Sequence, residues 1–177
     1  MNSWICSSCG QSHDDVPTGY GYEAPWTWYT VAERERARRC FLNADYCVID
    51  DEDYFVRGCL EIPIIGREES FIWGVWVSLS KTNFKREQSL ANKPERINEP
   101  SYFGWLSSRI EIYPDTAAMK TNVHTRGVGI RPSIELQRTD HALSREQHGG
   151  ITAERLLQIA EQIQHEWKDP KWNANQF

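Results

Sequence analysis

Phe71-Ile72-Trp73-Gly74-Val75-Trp76-Val77-Ser78-Leu79-Ser80 alternates without a break, with Phe71, Trp73, Val75, Val77 and Leu79 on one face of an extended chain. That face is wholly apolar, so the segment reads as a strand with one buried side. The opposite face carries Trp76 between Gly74 and Ser78, which marks a second packed layer or the floor of a groove. Trp76 is on that account a candidate binding residue.

Working outward, Tyr46-Cys47-Val48-Ile49, the acidic turn Asp50-Asp51-Glu52-Asp53 and Tyr54 to Ile62 read as a hairpin rich in β-type residues. Downstream, Asn83 to Leu90 reads as a short helical turn, followed by a polar surface loop reaching Pro100. Trp105 to Tyr113 alternates again. Met119 to Arg126 and Ile130 to Arg138 flank Gly127-Val128-Gly129, which predicts a three-residue hairpin loop. Thr152 as N-cap, and the stripe Leu156, Leu157, Ala160, Ile163 and Trp167, predict a closing helix over Ala153 to Trp167. Before the strands, Thr30-Val31-Ala32-Glu33 has the form of a capping box and predicts a helix from Val31 to Leu42. The expected fold class is α+β: a largely antiparallel sheet with an N-terminal and a C-terminal helix and a Cys/His-containing N-terminal arm. One domain over 1–167 is expected, with 1–29 as an irregular zinc-knuckle arm and 168–177 as a flexible tail.

The chain has 177 residues, with 25 acidic side chains against 20 Lys plus Arg, a formal charge of −5. Its pI is near 5.6. That balance argues against a broad nucleic-acid-binding surface, and no apolar stretch approaches the roughly 18 residues that a membrane span needs. The start shows no basic region followed by a long apolar one, so a cytoplasmic location is expected. Five cysteines, an odd set for a reducing compartment, argue against a disulfide framework.

Cys6-Ser7-Ser8-Cys9-Gly10, with His13 beyond, carries the sharpest chemistry. Two thiolates spaced C-x-x-C reach one tetrahedral zinc from a tight knuckle, and Gly after the second Cys permits the turn. A closed site needs four ligands, and no second C-x-x-C exists. The expected metal set is therefore Cys6, Cys9, His13 and Cys47, with Cys59 or Cys40 as substitutes, and the expected cofactor is structural zinc. The other reading of the thiols is a redox pair, although thioredoxin-like dithiols open a helix after a strand. The acidic turn offers carboxylates to a hard cation but lacks the calcium-loop pattern, so a solvated hairpin tip explains it as well. His124, His141, Asp140, Arg57 and Arg131 are the titratable and cationic groups that an acid–base or anion site on the polar sheet face would use. A turn at Thr139-Asp140 and a short helix capped near Ser144 account for the last of these histidines without chemistry. No Walker loop, nucleophile elbow, H-E-x-x-H or G-x-G-x-x-G occurs.

Seven stretches in order carry a resemblance: Cys6-x-x-Cys9-Gly10-x-x-His13, Asp45-x-Cys47-Val48-Ile49-Asp50, Phe55-Val56-Arg57-Gly58, Trp73 to Ser80, Tyr102-Phe103-Gly104-Trp105-Leu106, Tyr113-Pro114-Asp115-Thr116 and Thr139-Asp140-His141. Through them the chain resembles the bacterial DUF2199 family from Trp4 to about His165. The resemblance implies no catalytic residues, because the family is a domain of unknown function; it places Cys6, Cys9, His13 and Cys47 within family motifs. The leading expectation is a non-enzymatic module binding an unidentified protein partner, with Trp76, Arg57, His124, Arg131 and His141 as candidate binding residues. The alternative is a small enzyme built on the His/Asp/Arg cluster.

Overall fold

The computed structural model describes residues 3–13 and 16–166. Its centre is the hairpin of β6 (Asp53–Pro63) and β7 (Ser70–Leu79), paired along its whole length from Tyr54↔Leu79 to Pro63↔Ser70. Phe71, Trp73, Val75, Val77 and Leu79 are buried as the alternation requires. Trp76 on the other face is also fully buried, and its indole N–H donates to the Tyr22 carbonyl at 2.9 Å. Of the two readings of that face, the second packed layer holds. Trp76 is a core residue and lines no groove.

Upstream, β3 (Gly19–Gly21) runs parallel to β7, and β4 (Cys40–Leu42) and β5 (Tyr46–Ile49) add antiparallel strands beyond β6. Asp50 and Asp51 turn the β5–β6 hairpin with φ of 54° and 56°, a left-handed conformation that Asp tolerates. Downstream, β8 (Tyr102–Leu106), β9 (Lys120–His124) and β10 (Ser133–Leu136) follow β7 in order. The last of these pairs in parallel with β6 at Ser133↔Cys59. This closes β6, β7, β8, β9 and β10 into a barrel, where the sequence suggested a largely antiparallel sheet without closure. Glycines sit at the tight approaches. A Cβ on Gly58 would lie 2.6 Å from Ile134 and 2.8 Å from the Pro132 carbonyl oxygen, and one on Gly104 would lie 2.6 Å from the Ser78 carbonyl oxygen. Only a residue without a side chain lets the strands bend together there.

Four expectations are corrected. The first helix, α1, spans only Glu33–Arg39; Thr30 donates to the Thr27 carbonyl within a 3-10 turn, and no side chain caps the helix. Cys40-Phe41-Leu42 is captured instead as a strand by Ile49, Val48 and Cys47, since pairing outweighs a modest helix propensity. The strand expected over Trp105 to Tyr113 ends at Leu106, and the chain turns at Ile110–Tyr113. The loop joining β9 to β10 covers 125–132, longer than three residues. The helical turn near Asn83 is a full helix, α2 (Lys81–Leu90), capped by the Ser80 hydroxyl; Phe84 packs its ring on Tyr46 and Tyr54.

Two further helices complete the order, α3 (Ala142–Gly149) and α4 (Ala153–Glu166). Between them Ile151 is bound into the end of β6: its N–H donates to the Pro63 carbonyl at 2.8 Å and its own carbonyl accepts from Ile65 at 2.9 Å. Thr152 then caps α4 as expected, its hydroxyl accepting from Arg155 N–H at 3.2 Å. Leu156, Ile159 and Ile163 bury one stripe of α4 in the main core. Trp167 and the expected tail at 168–177 lie outside the described residues. Among the described residues no helix is long and apolar enough to cross a membrane.

Candidate metal centre

The arm folds as a short hairpin, β1 (Trp4–Ile5) against β2 (Ser12–His13). Its turn is the C-x-x-C segment. Gly10 takes φ of 70° and donates its N–H to the Cys6 carbonyl at 2.9 Å, while Cys6 N–H donates to the Gln11 carbonyl. This reversal brings Cys9 Sγ to 3.4 Å from His13 Nε2. Trp4 lies across the strand pair, its ring 5.1 Å from the His13 ring.

The arm lies on α4. Trp4 and Cys6 are buried with Ala160, and Leu157 packs beside them. One turn further, Glu161, Gln164 and His165 project in the same direction, as positions i, i+3 and i+4 of a helix must. Glu161 accepts from Ser7 twice, from its N–H at 2.6 Å and its hydroxyl at 2.7 Å. The Ser7 N–H, then its hydroxyl, hold the Glu161 carboxyl below the usual carboxylate range. His165 Nε2 is 2.9 Å from Cys6 Sγ.

Cys6, Cys9, His13 and His165 thus offer four ligand atoms that all lie within 4.8 Å of one another. A tetrahedral zinc with bonds of about 2.3 Å to sulfur and about 2.0 Å to nitrogen asks for ligand separations of roughly 3.3–3.8 Å. Small side-chain adjustments meet that. A supporting contact is also present: the Gln164 side-chain amide lies 2.9 Å from His13 Nδ1. With a metal on Nε2, Nδ1 carries the hydrogen, and a half-turn of the amide presents its oxygen to receive it. The arrangement is a set of two cysteines and two histidines that could hold a metal ion.

Three of the four expected ligands are therefore together, and the fourth is corrected. Cys47 does not join them. It pairs with Phe55 and Leu42 inside the sheet and is fully buried, and burial pushes its thiol up to about 12. Cys59, likewise buried, and Cys40 on β4 also stand apart from the group. The sequence reading missed His165. Its signal was the polar run Glu161, Gln164 and His165 beside the apolar stripe of α4, on the side where a ligand-bearing arm can dock.

The other candidates do not converge as one site. His124 is on β9, exposed, and 2.8 Å from Glu135. His141 caps α3, its Nδ1 accepting from Leu143 N–H at 3.1 Å. Asp140 accepts from Arg145 through its backbone carbonyl. Arg57 and Arg131 do meet, lining one cavity in which no histidine takes part. In the acidic turn, Asp50 is held by Arg39 and Asp51 by Lys81, so those carboxylates serve as ion-pair partners.

No curated protein and no solved structure matches the chain. A family model described as "Uncharacterized protein conserved in bacteria (DUF2199)" matches residues 5–151. The match takes in Cys6, Cys9 and His13 and stops short of His165, and on its extent the chain belongs to the DUF2199 family.

Proposed function

We propose that Cys6, Cys9, His13 and His165 hold a structural zinc, and that the protein is a non-enzymatic module that binds a protein partner. The observation that carries the zinc is the meeting of four ligand side chains from two ends of the chain, Cys6 and His165 being 159 residues apart. Two thiolates with two imidazoles suit zinc above harder cations. A closed first shell gives structural support and leaves no open position for chemistry. Five free thiols suit a reducing, cytoplasmic setting.

The binding reading is supported by Phe103 and Trp105 on β8, exposed at 44% and 42% and stacked edge to face at 5.1 Å. Exposed aromatic pairs are the anchors that protein interfaces bury. The enzyme reading has less behind it, since His124 and His141 are each engaged locally.

Elemental analysis of tag-free protein tests the zinc. We expect about one zinc per chain, lost in Cys6→Ser; equal zinc in both proteins, or none in the wild type after zinc supplementation, overturns it. For the surface, replacing Phe103 and Trp105 together by Ser is expected to abolish association with a partner while zinc content and melting stay unchanged. Retained association refutes that surface.

A further inference from the structure

The five cysteines differ in what an oxidant can do to them. Cys47 and Cys59 are buried, and burial pushes the Cys47 thiol up to about 12 and raises that of Cys59. Burial raises the half-buried Cys40 thiol as well. These three stay protonated at neutral pH, and the protonated thiol is the unreactive form. Cys9 is the exposed one, at the C-x-x-C turn. Cys6 behind it is fully buried, and the two sulfurs lie within 4.8 Å of each other. An accessible sulfur with a second one in reach to resolve it is the form of a redox-sensing pair.

We infer that Cys6 and Cys9 make the metal centre a peroxide-responsive latch, whose oxidation to a disulfide expels the metal and frees the amino-terminal arm from α4. The inference rests on the zinc reading, because a zinc-bound cysteine is held as the thiolate, the nucleophilic form. The Cys9 sulfur attacks one oxygen of the peroxide, the O–O bond breaks and hydroxide leaves, which makes Cys9 a sulfenic acid. The Cys6 sulfur then attacks the Cys9 sulfur, the S–S bond forms, the S–O bond breaks and a second hydroxide leaves. Two electrons pass from the sulfurs to one peroxide, and both hydroxides take protons from the solvent.

The disulfide changes what the arm is tied to. A metal on the four side chains would join Cys6, Cys9 and His13 to His165 on α4. The disulfide joins two residues of the arm to each other and nothing to the helix. What then remains across the contact is the packing of Trp4 and Cys6 on Ala160 and Leu157, the bonds of Ser7 to Glu161, and the meeting of His13 with Gln164. The polar contacts are exposed and compete with water. Opening the arm uncovers Ala160 and Leu157, an apolar strip of α4 that the closed arm covers.

The test treats the tag-free, zinc-loaded full chain with hydrogen peroxide in the presence of a chromogenic zinc indicator. Release of the bound zinc is expected in step with the loss of two of the five free thiols. The peptide that carries both Cys6 and Cys9 should become lighter by two hydrogens, and the amides of 4–13 should lose exchange protection; dithiothreitol with added zinc should restore both. Cys6 and Cys9 should be oxidised at least about tenfold faster than Cys47 and Cys59, and Cys40→Ser should respond as the wild type does. Prior oxidation of any other cysteine, or an arm that stays protected once the disulfide has formed, overturns the inference. A wild type that takes up no zinc defeats the zinc reading before peroxide is added, and the latch with it. Zinc that binds and is kept under peroxide defeats the latch alone.

Discussion

Cys9→Ser separates what the metal does from what packing does. Cys9 is exposed, so exchanging its sulfur for oxygen alters little by itself, within about 0.5 kcal/mol for a surface position. Besides the proposed metal, the arm is held by Trp4 and Cys6 against α4 and by the exposed hydrogen bonds of Ser7 to Glu161, which add little in water. Ordering the eleven residues from Ser3 to His13 costs about 1–1.5 kcal/mol each, roughly 11–16 kcal/mol in all. Trp4 supplies the main apolar burial, and about 200 Å² of ring at about 25 cal/mol per Å² returns about 5 kcal/mol. The proposed structural zinc would contribute about 10–16 kcal/mol, which would close the loaded arm by up to about 10 kcal/mol. Without the metal the balance lies on the open side by roughly 6–11 kcal/mol. Hydrogen exchange read by mass spectrometry should therefore show the amides of 4–13 deprotected in Cys9→Ser and after chelation. The amides of β6 and β7, in the barrel core, should keep their protection. Continued protection of the arm once zinc is shown to be gone would refute the argument, as would barrel unfolding in step with zinc loss.

Glu87→Leu leaves Arg96 buried without its counter-ion and is expected to cost about 3–5 kcal/mol in urea unfolding. Adding Arg96→Met should recover most of the loss, and simple additivity of the two changes would count against a buried pair. Gly104→Ala forces a methyl group toward the Ser78 carbonyl oxygen and Val77 and is expected to cost about 1–3 kcal/mol; an unmoved denaturation midpoint would mean that the strands do not close there. The Arg86 guanidinium, helped by the Tyr102 hydroxyl, holds the Glu99 carboxyl at about 2, below its ordinary 4.5. The folded value is the lower one, so the stabilisation is present above 4.5 and fades as pH falls toward 2. The stability difference between wild type and Glu99→Gln should vanish across that window, and a difference that persists at its acid end would contradict the pairing.

What could be read from residues alone was whatever depends on local order. The alternation of Phe71 to Leu79, the Thr152 cap with the stripe of α4, and the Cys6–Cys9–His13 knuckle all repeat within a few residues, and each is present in the structure. Barrel closure was not legible, because it turns on one parallel contact, Ser133 with Cys59, between segments far apart in the chain. The α1 forecast failed for a related reason: Thr30 and Glu33 have the right types for a capping box, but Thr30 is spent on Thr27, and Cys40 to Leu42 find a strand to pair with. Cys47 was chosen as the fourth ligand on residue type. Alternation within β5 turns it into the core, and the fourth member of the Cys/His group is His165, which a lone helical histidine does not announce.

The span between Cys6 and His165 also sets an order of events during synthesis. A ribosome adding about 5–20 residues per second needs roughly 8–30 s to make the 159 residues that separate them. Throughout that interval the nascent amino-terminal segment has the side chains of Cys6, Cys9 and His13 and lacks that of His165. If the proposed metal is bound, completion of its coordination shell waits for the final helix, and a chain cut short before it would carry only Cys6, Cys9 and His13 of the four side chains.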